Sequence, residues 1–499
     1  MIRRLLLLWL IVVPVCAAAA PMGFDEARHL LNRTSFAANL EDIESFAKLT
    51  RAQAVDQLLA WTAGKMVTPP PAWIGEFESP RKLRDASEEE RKAFQRRQFE
   101  KGAELRAWWL TEMLTTPSPL TEKMVLFWHN HFVSSLQKVR SPVLMYRQNQ
   151  LLRKHALGYF GDMLHEVSKD PAMVVYLDSA SNRKGKPNEN FAREVMELFT
   201  LGEGNYGEQD VKEAARAFTG WSIELETGEF LFRRPAHDEG VKTLLGRSGN
   251  FDGDAVLDIL QAQPQTAEFI VGKLWREFVS PQPDAAEVKR IARMFRDNRY
   301  NIRVALRALL TSDAFYAPQN RAALIKSPVD LIVGTLRQFR FETGEVTPFL
   351  FAARLLGQDV FAPPNVKGWP GGDAWINSAT LLSRKQFLER LFRAQEMRAP
   401  PAPLATDAPM RDRVARAMND IYFDGERWMK QFGPGDPALT RVVLATEPAL
   451  TSANSALAHS ASASSTSASS APDKSAPEKS AQGVQRLREL VLDPAYQLK

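Results

Sequence analysis

The sequence predicts an all-α fold, a large helical array with one small β-hairpin element near residues 222–245. Apolar residues recur at three- and four-residue spacing over most of the 499-residue chain, the period of an amphipathic helix. Alternation is confined to Ser222–Arg233, around Thr227-Gly228, and reads as a hairpin. A composition of 44% hydrophobic and 25% charged residues, with one cysteine, is that of an ordinary globular protein. It excludes a wholly disordered chain, a collagen-like fibre and a disulfide scaffold.

Residues 1–19 read as a secretory signal peptide. Met1-Ile2-Arg3-Arg4 is a short positive region, Leu5–Val15 is apolar, and Ala17 and Ala19 fit the small-x-small cleavage pattern. The run is shorter than the roughly 20 apolar residues of a membrane span. Cys16 raises a lipoprotein alternative, against which Val15 stands where a lipobox needs a small residue. Arg3-Arg4 raises twin-arginine export, against which the leucine run favours the general route. The expectation is export to the periplasm or beyond the cell. Cleavage removes the only cysteine, and with it any thiol nucleophile, disulfide or Cys-ligated metal. It also lowers the net charge from +5 by two, to about +3. No later segment has 18 consecutive apolar residues, so the mature chain carries no transmembrane span. No Lys/Arg block resembles a nucleic-acid arm, which leaves nucleic acid out as a partner.

Residues 20–397 form the helical body. Phe24–Ala60 reads as two short helices with Asn32-Arg33-Thr34-Ser35 as the turn. A loop follows at Thr68–Pro71, then a long charged helix near 85–114, ended by Thr115–Pro119. Ser118 opens the next helix, with Pro119 in its first turn and Glu122 at its positive end. It runs through His131. Further helices are expected at 141–168, 171–180, 188–201, 208–220, 254–262, 264–279, 284–297, 301–312, 327–341, 346–356 and 377–395. Thr243-Leu244-Leu245 adds a short third strand. Residues 398–409 are a Pro/Ala linker and 410–450 a helical continuation. Residues 451–482 are a Ser/Ala-rich insertion expected to be disordered, because it buries too little apolar area to offset its ordering entropy. Residues 483–499 read as a C-terminal helix that re-docks on the body.

Four polar constellations carry the chemistry. In Trp128-His129-Asn130-His131-Phe132 the two imidazoles would face one ion on a strand but diverge by about 200° on a helix. They are zinc ligands, pocket residues or structural histidines. In the run 187–199, Asn188 is a good N-cap, and Asn190, Glu194 and Glu197 share a face. Arg193 neighbours Glu189 and Glu197. Two carboxylates at i, i+3 can hold a hard cation or do acid–base work; the commoner fate of such spacing is a solvated ion-pair face. His237-Asp238, with Lys242 beyond, is a base with its orienter, a metal ligand pair or a solvated loop. Pro and Gly make 363–377 a loop, in which Lys367, Trp369 and Trp375 either meet a ligand or seal the core. There is no Gly-x-Ser-x-Gly, phosphate loop, dinucleotide fingerprint or His-Glu-x-x-His.

WHNHF (128–132), PNENFAREVMELFTLGEGNYGEQDVKEAARAFTGW (187–221), HDEGVKTLLG (237–246) and PPNVKGWPGGDAWINS (363–378) together resemble the bacterial domain-of-unknown-function family 1800. So do HLLNRTSF (29–36), KSPVDLIVGTLR (326–337) and the closing LDPAYQLK (492–499). The likeness covers nearly all of the mature chain. It departs at Phe36-Ala37, where the family has Phe-Gly, and at the Ser/Ala stretch. The resemblance implies an exported, mainly helical bacterial protein and carries no catalytic role. It also implies a partner, a neighbouring exported phosphatase/sulfatase-like protein.

Two functions follow. One is a periplasmic binding or assembly module, with the Trp369/Trp375 loop and the charged helix as contact surfaces. The alternative is a metal-assisted hydrolase, using a divalent metal in a pocket lined by His129, His131, Glu194, Glu197, His237 and Asp238. Asn130, Asn188, Asn190, Arg193, Lys242, Lys367, Trp369 and Trp375 would orient its ligand.

Overall fold

The structure, a computed structural model, describes residues 20–62, 65–393, 421–433, 436–449 and 476–499, with backbone alone at 476–481. The expected signal peptide, the linker and residues 451–475 lie outside these. The described chain is mainly helical, with two small two-stranded antiparallel sheets.

Three helices open it: α1 (Gly23–Thr34), α2 (Leu40–Ala47) and α3 (Arg51–Ala60). The expected turn at 32–35 is instead the end of α1. Arg33 is fully buried, and its guanidinium donates to the carbonyls of Phe278, Val279 and Asn320 at 3.3, 3.0 and 2.7 Å. These tertiary bonds outweigh the turn preference of Asn32 and Ser35. The charged helix is α4 (Glu88–Thr115), started by a reciprocal Ser87/Glu90 capping box. Its first half lies in solvent and its second half buries Leu105, Trp108, Trp109 and Met113.

Next come α5 (Pro119–His131), α6 (Leu136–Val139), α7 (Pro142–His155), α8 (Phe160–Ser168) and α9 (Pro171–Tyr176). The single helix expected at 141–168 is broken at 156–159. There Phe160 donates its N–H to Tyr300, and Gly158 accepts from Ile302, both at 2.9 Å. Cross-chain pairing takes over backbone groups that a continuous helix would satisfy itself. The helix expected at 171–180 stops early, with Asp178 left-handed at φ 57°.

α10 (Asn190–Glu194) runs into a widened π turn, Val195–Thr200, before α11 (Glu208–Ala217). The hairpin is β1 (Trp221–Ile223) with β2 (Phe230–Phe232), Ser222 facing Leu231. The third strand, β3 (Lys242–Leu244), does not join it. β3 pairs with β4 (Arg247–Gly249) across Leu245-Gly246, both at positive φ as a two-residue hairpin turn requires.

The remaining helices are α12 (Gly253–Gln261), α13 (Pro264–Phe278), α14 (Ala285–Asp297), α15 (Ile302–Leu310), α16 (Asp313–Tyr316), α17 (Pro328–Gln338), α18 (Thr347–Leu355), α19 (Ser378–Arg393), α20 (Gly425–Met429), α21 (Pro437–Val443) and α22 (Ala476–Leu492). α22 begins inside the stretch expected to be disordered. Ala, Glu, Lys and Gln are strong helix formers, and burial of Leu487, Leu490 and Val491 further on supports propagation back to Ala476. α22 packs on α19, α20 and α21, and Leu498 then bridges to Ile325. One continuous core runs from Met22 to Tyr496. Among the described residues no helix is long and apolar enough to cross a membrane.

Candidate functional site: a cationic cleft

A cleft of about 410 Å³ opens where α5, α13, the start of α17, the 365–377 loop and the final residue meet. The helical repeat puts Lys123, Phe127, Asn130 and His131 of α5 on its wall, and Lys273, Arg276 and Glu277 of α13 opposite. Asp330, Lys367, Trp369, Trp375 and Lys499 complete the polar and aromatic lining.

Both histidines of the first motif are helical, so they diverge. His131 lines the cleft. His129 lies among the rings of Trp109, Phe361 and Trp369, where burial pushes its imidazole down to about 3 and its Nε2 has no hydrogen-bond partner. One ion cannot be shared between the two.

His131 Nε2 lies 3.2 Å from the Phe199 carbonyl, and its Nδ1 lies 3.0 Å from Lys273 Nζ. A carbonyl only accepts, so Nε2 carries the proton. Burial, then Lys273, hold the ring well below its usual pKa and therefore neutral, so Nδ1 accepts from Lys273. Lys273 also donates to the Leu198 carbonyl at 3.2 Å. Leu198 and Phe199 lie in the π turn, whose wide winding leaves carbonyls to be satisfied from outside the helix. Burial, then Arg276, lower the Lys273 amine to about 8.

Asn130 clamps the tryptophan loop. Its Oδ1 accepts from Trp369 N–H at 2.7 Å, and its Nδ2 donates to Trp369 O at 3.4 Å. Gly368 beside it has φ +83°, and a Cβ there would meet the Asn130 carbonyl at 2.8 Å and its Oδ1 closer still. Trp369 and Trp375 are 4% and 6% exposed. They wall the cleft and seal the core, and they offer no projecting surface to a partner. The Trp369 indole N–H, buried in this wall, has no hydrogen-bond partner.

On the far wall Asp330 binds Lys123 at 2.6 Å and Lys499 at 2.5 Å, and Glu277 lies 3.6 Å from Lys499. Burial alone would raise the Asp330 carboxyl, but Lys123 and Lys499 outweigh it and hold the group well below the carboxylate range. Lys367 reaches Glu197 at 3.7 Å, and Tyr206 donates to Glu197 at 3.0 Å. Glu194 is half-buried and its carboxyl is raised, by burial first and then by Glu197.

The other expected site residues lie elsewhere. Asn188 binds Ser181 and accepts from Asn190 N–H, and Asn190 donates to Leu177 O, so both brace the start of α10. Arg193 pairs with Glu189 and Glu208 and not with Glu197. His237 Nδ1 donates to the Thr219 carbonyl at 2.9 Å, and the carboxylate of Asp238 is bound by Arg216 and not by His237. Arg216 is the main partner of Asp238 and holds it down to about 2. Lys242 donates to the Asp238 and Gly240 carbonyls. This second cluster ties the β3 segment to α11. Among the described residues no group of three or more His, Cys, Asp and Glu side chains could hold a metal ion.

Sequence reasoning missed Lys123, Lys273, Arg276, Glu277, Asp330 and Lys499. A signal existed for one of them. Lys273 interrupts the apolar helix segment Ile270–Trp275, where a lysine is costly unless it serves a polar cavity.

Fold and site together define a mainly helical protein built around one cationic, aromatic-walled cleft. The chain belongs to the family described as a protein of unknown function (DUF1800), whose model matches residues 29–498. No curated protein and no solved structure matches it.

Proposed function

We propose that the protein is an exported binding module that takes an anionic group in the cleft and acts alongside another exported protein. One observation carries the reading: five cationic side chains line the cleft against two acids. Asp330 and Glu277 engage Lys123 and Lys499, Lys367 leans on Glu197, and neither Lys273 nor Arg276 has a carboxylate partner among the described residues. Arg276 and Lys367 are exposed, so an anion entering the cleft can reach them and gain charge-assisted hydrogen bonds.

The metal-assisted hydrolase is the weaker reading. Of its six candidate residues only His131 lines the cleft, and Glu197 is linked to it through Lys367. The partner we propose remains a neighbouring exported phosphatase/sulfatase-like protein, to which an oxyanion-binding module is chemically suited.

Calorimetric titration of the mature protein with sulfate, phosphate and small carboxylates tests the reading. One saturable site is expected, weakened about tenfold in Arg276→Ala and in Lys367→Ala, the loss of one charge-assisted contact. No saturation with any of the three would sink it.

A further inference from the structure

The anion reading leaves unexplained why the half-buried Lys273 amine is held by a neutral imidazole and a carbonyl when a carboxylate would bind it more strongly. Lys273 Nζ has two fixed partners, His131 Nδ1 and Leu198 O, and both only accept from it. A protonated amine gives each one N–H and keeps a third. A neutral amine also gives each one N–H and keeps a lone pair. The hydrogen-bond frame therefore fits both protonation states without rearrangement, and the remaining position belongs to a residue that lines the cleft. A carboxylate partner would have locked the charged form.

We propose that Lys273 is a nucleophilic amine that captures the carbonyl carbon of an anionic aldehyde or ketone as an imine, with Arg276 and Lys367 holding the anionic group. The inference rests on the anion-binding reading of the same cleft. The Nζ lone pair forms the C–N bond as the carbonyl π pair moves to oxygen. The resulting carbinolamine expels that oxygen as water, which carries away the two amine protons. No oxidant or reductant is needed. His131 is a positioning residue that accepts the amine N–H through Nδ1. A burial-lowered pKa of about 8, against 10.5 for a free lysine, places a useful neutral fraction near neutral pH. The charged groups facing Nζ act in that direction or are already engaged: Arg276 on its own helix lowers it further, and Glu277 is turned to Lys499.

The test treats the mature protein with glyoxylate and sodium borohydride, followed by intact mass and peptide mapping. One reduced adduct is expected, on Lys273, forming more than about tenfold faster than on exposed Lys289 at pH 7. It should be slowed by sulfate and absent in Lys273→Arg. Should that variant fail to fold, the wild-type rate comparison and sulfate protection still decide. No adduct on Lys273, or one no faster than on Lys289, overturns the inference. If sulfate, phosphate or a small carboxylate still titrates to one site in that case, the anion reading stands alone; if none does, both fall.

Discussion

Buried charge and buried imidazole set the response to pH at the residue scale. Asp330 holds two lysines, so Asp330→Asn leaves buried Lys123 without its ion-pair partner and Lys499 with Glu277 alone, and should cost about 3–5 kcal/mol in denaturant unfolding. Because its folded pKa is depressed, its contribution is present above the ordinary carboxylate range and is lost as pH falls through and below it. His129 acts on the basic side of the same linkage. Its folded pKa is near 3 while the unfolded value is near 6.5, so only the unfolded state gains this proton between those limits. Stability therefore drops as pH falls from 6.5. His129→Phe, which keeps a ring among Trp109, Phe361 and Trp369, should change stability at pH 7 by less than about 1.5 kcal/mol. Melting curves between pH 7 and 4 should show a shallower decline than the wild type. An unchanged decline would mean that His129 is not buried neutral.

Elements were legible where periodicity and caps agree. α4 was readable from its charged run and closing Thr-Pro break, and α13 and α14 from their apolar spacing. The misses share one cause, partners distant in sequence. α1 continues through Arg33 because carbonyls some 240 residues away receive its guanidinium. α7 and α8 separate because residues 300–302 pair with the break. The π turn has no local signature either, yet it presents the carbonyls that hold His131 and Lys273. Of the site, the α5 motif and the tryptophan loop were readable from polar and aromatic density, whereas Lys123 and Lys499 carry no local signature and meet Asp330 only in the folded chain. The loop itself makes a sharp prediction. Gly368→Ala forces a Cβ against Asn130 at a positive φ, and should destabilise by about 1–3 kcal/mol and loosen the wall carrying Trp369. Red-shifted tryptophan emission with a lowered Tm would record it; wild-type emission and Tm would contradict the clamp.

At the scale of the whole molecule, the last residues of the described chain close back on its middle. The 494–499 stretch lies along residues 324–326, Tyr496 shares a 2.8 Å hydrogen bond with Thr335, and Lys499 enters the cleft. Cutting the chain after Asp493 should therefore lower stability by several kcal/mol, since it exposes core and removes one of the two lysines that hold Asp330. It should weaken anion binding as well, readable by thermal shift with and without sulfate. The central claim, that the fold is organised around an anion-receiving cleft, is tested most directly by a crystal structure of the mature protein soaked in selenate. The account predicts an anomalous selenium peak in the cleft against Lys273 and Arg276, removed by excess sulfate. An empty cleft, with selenate bound only on the outer surface, would contradict it.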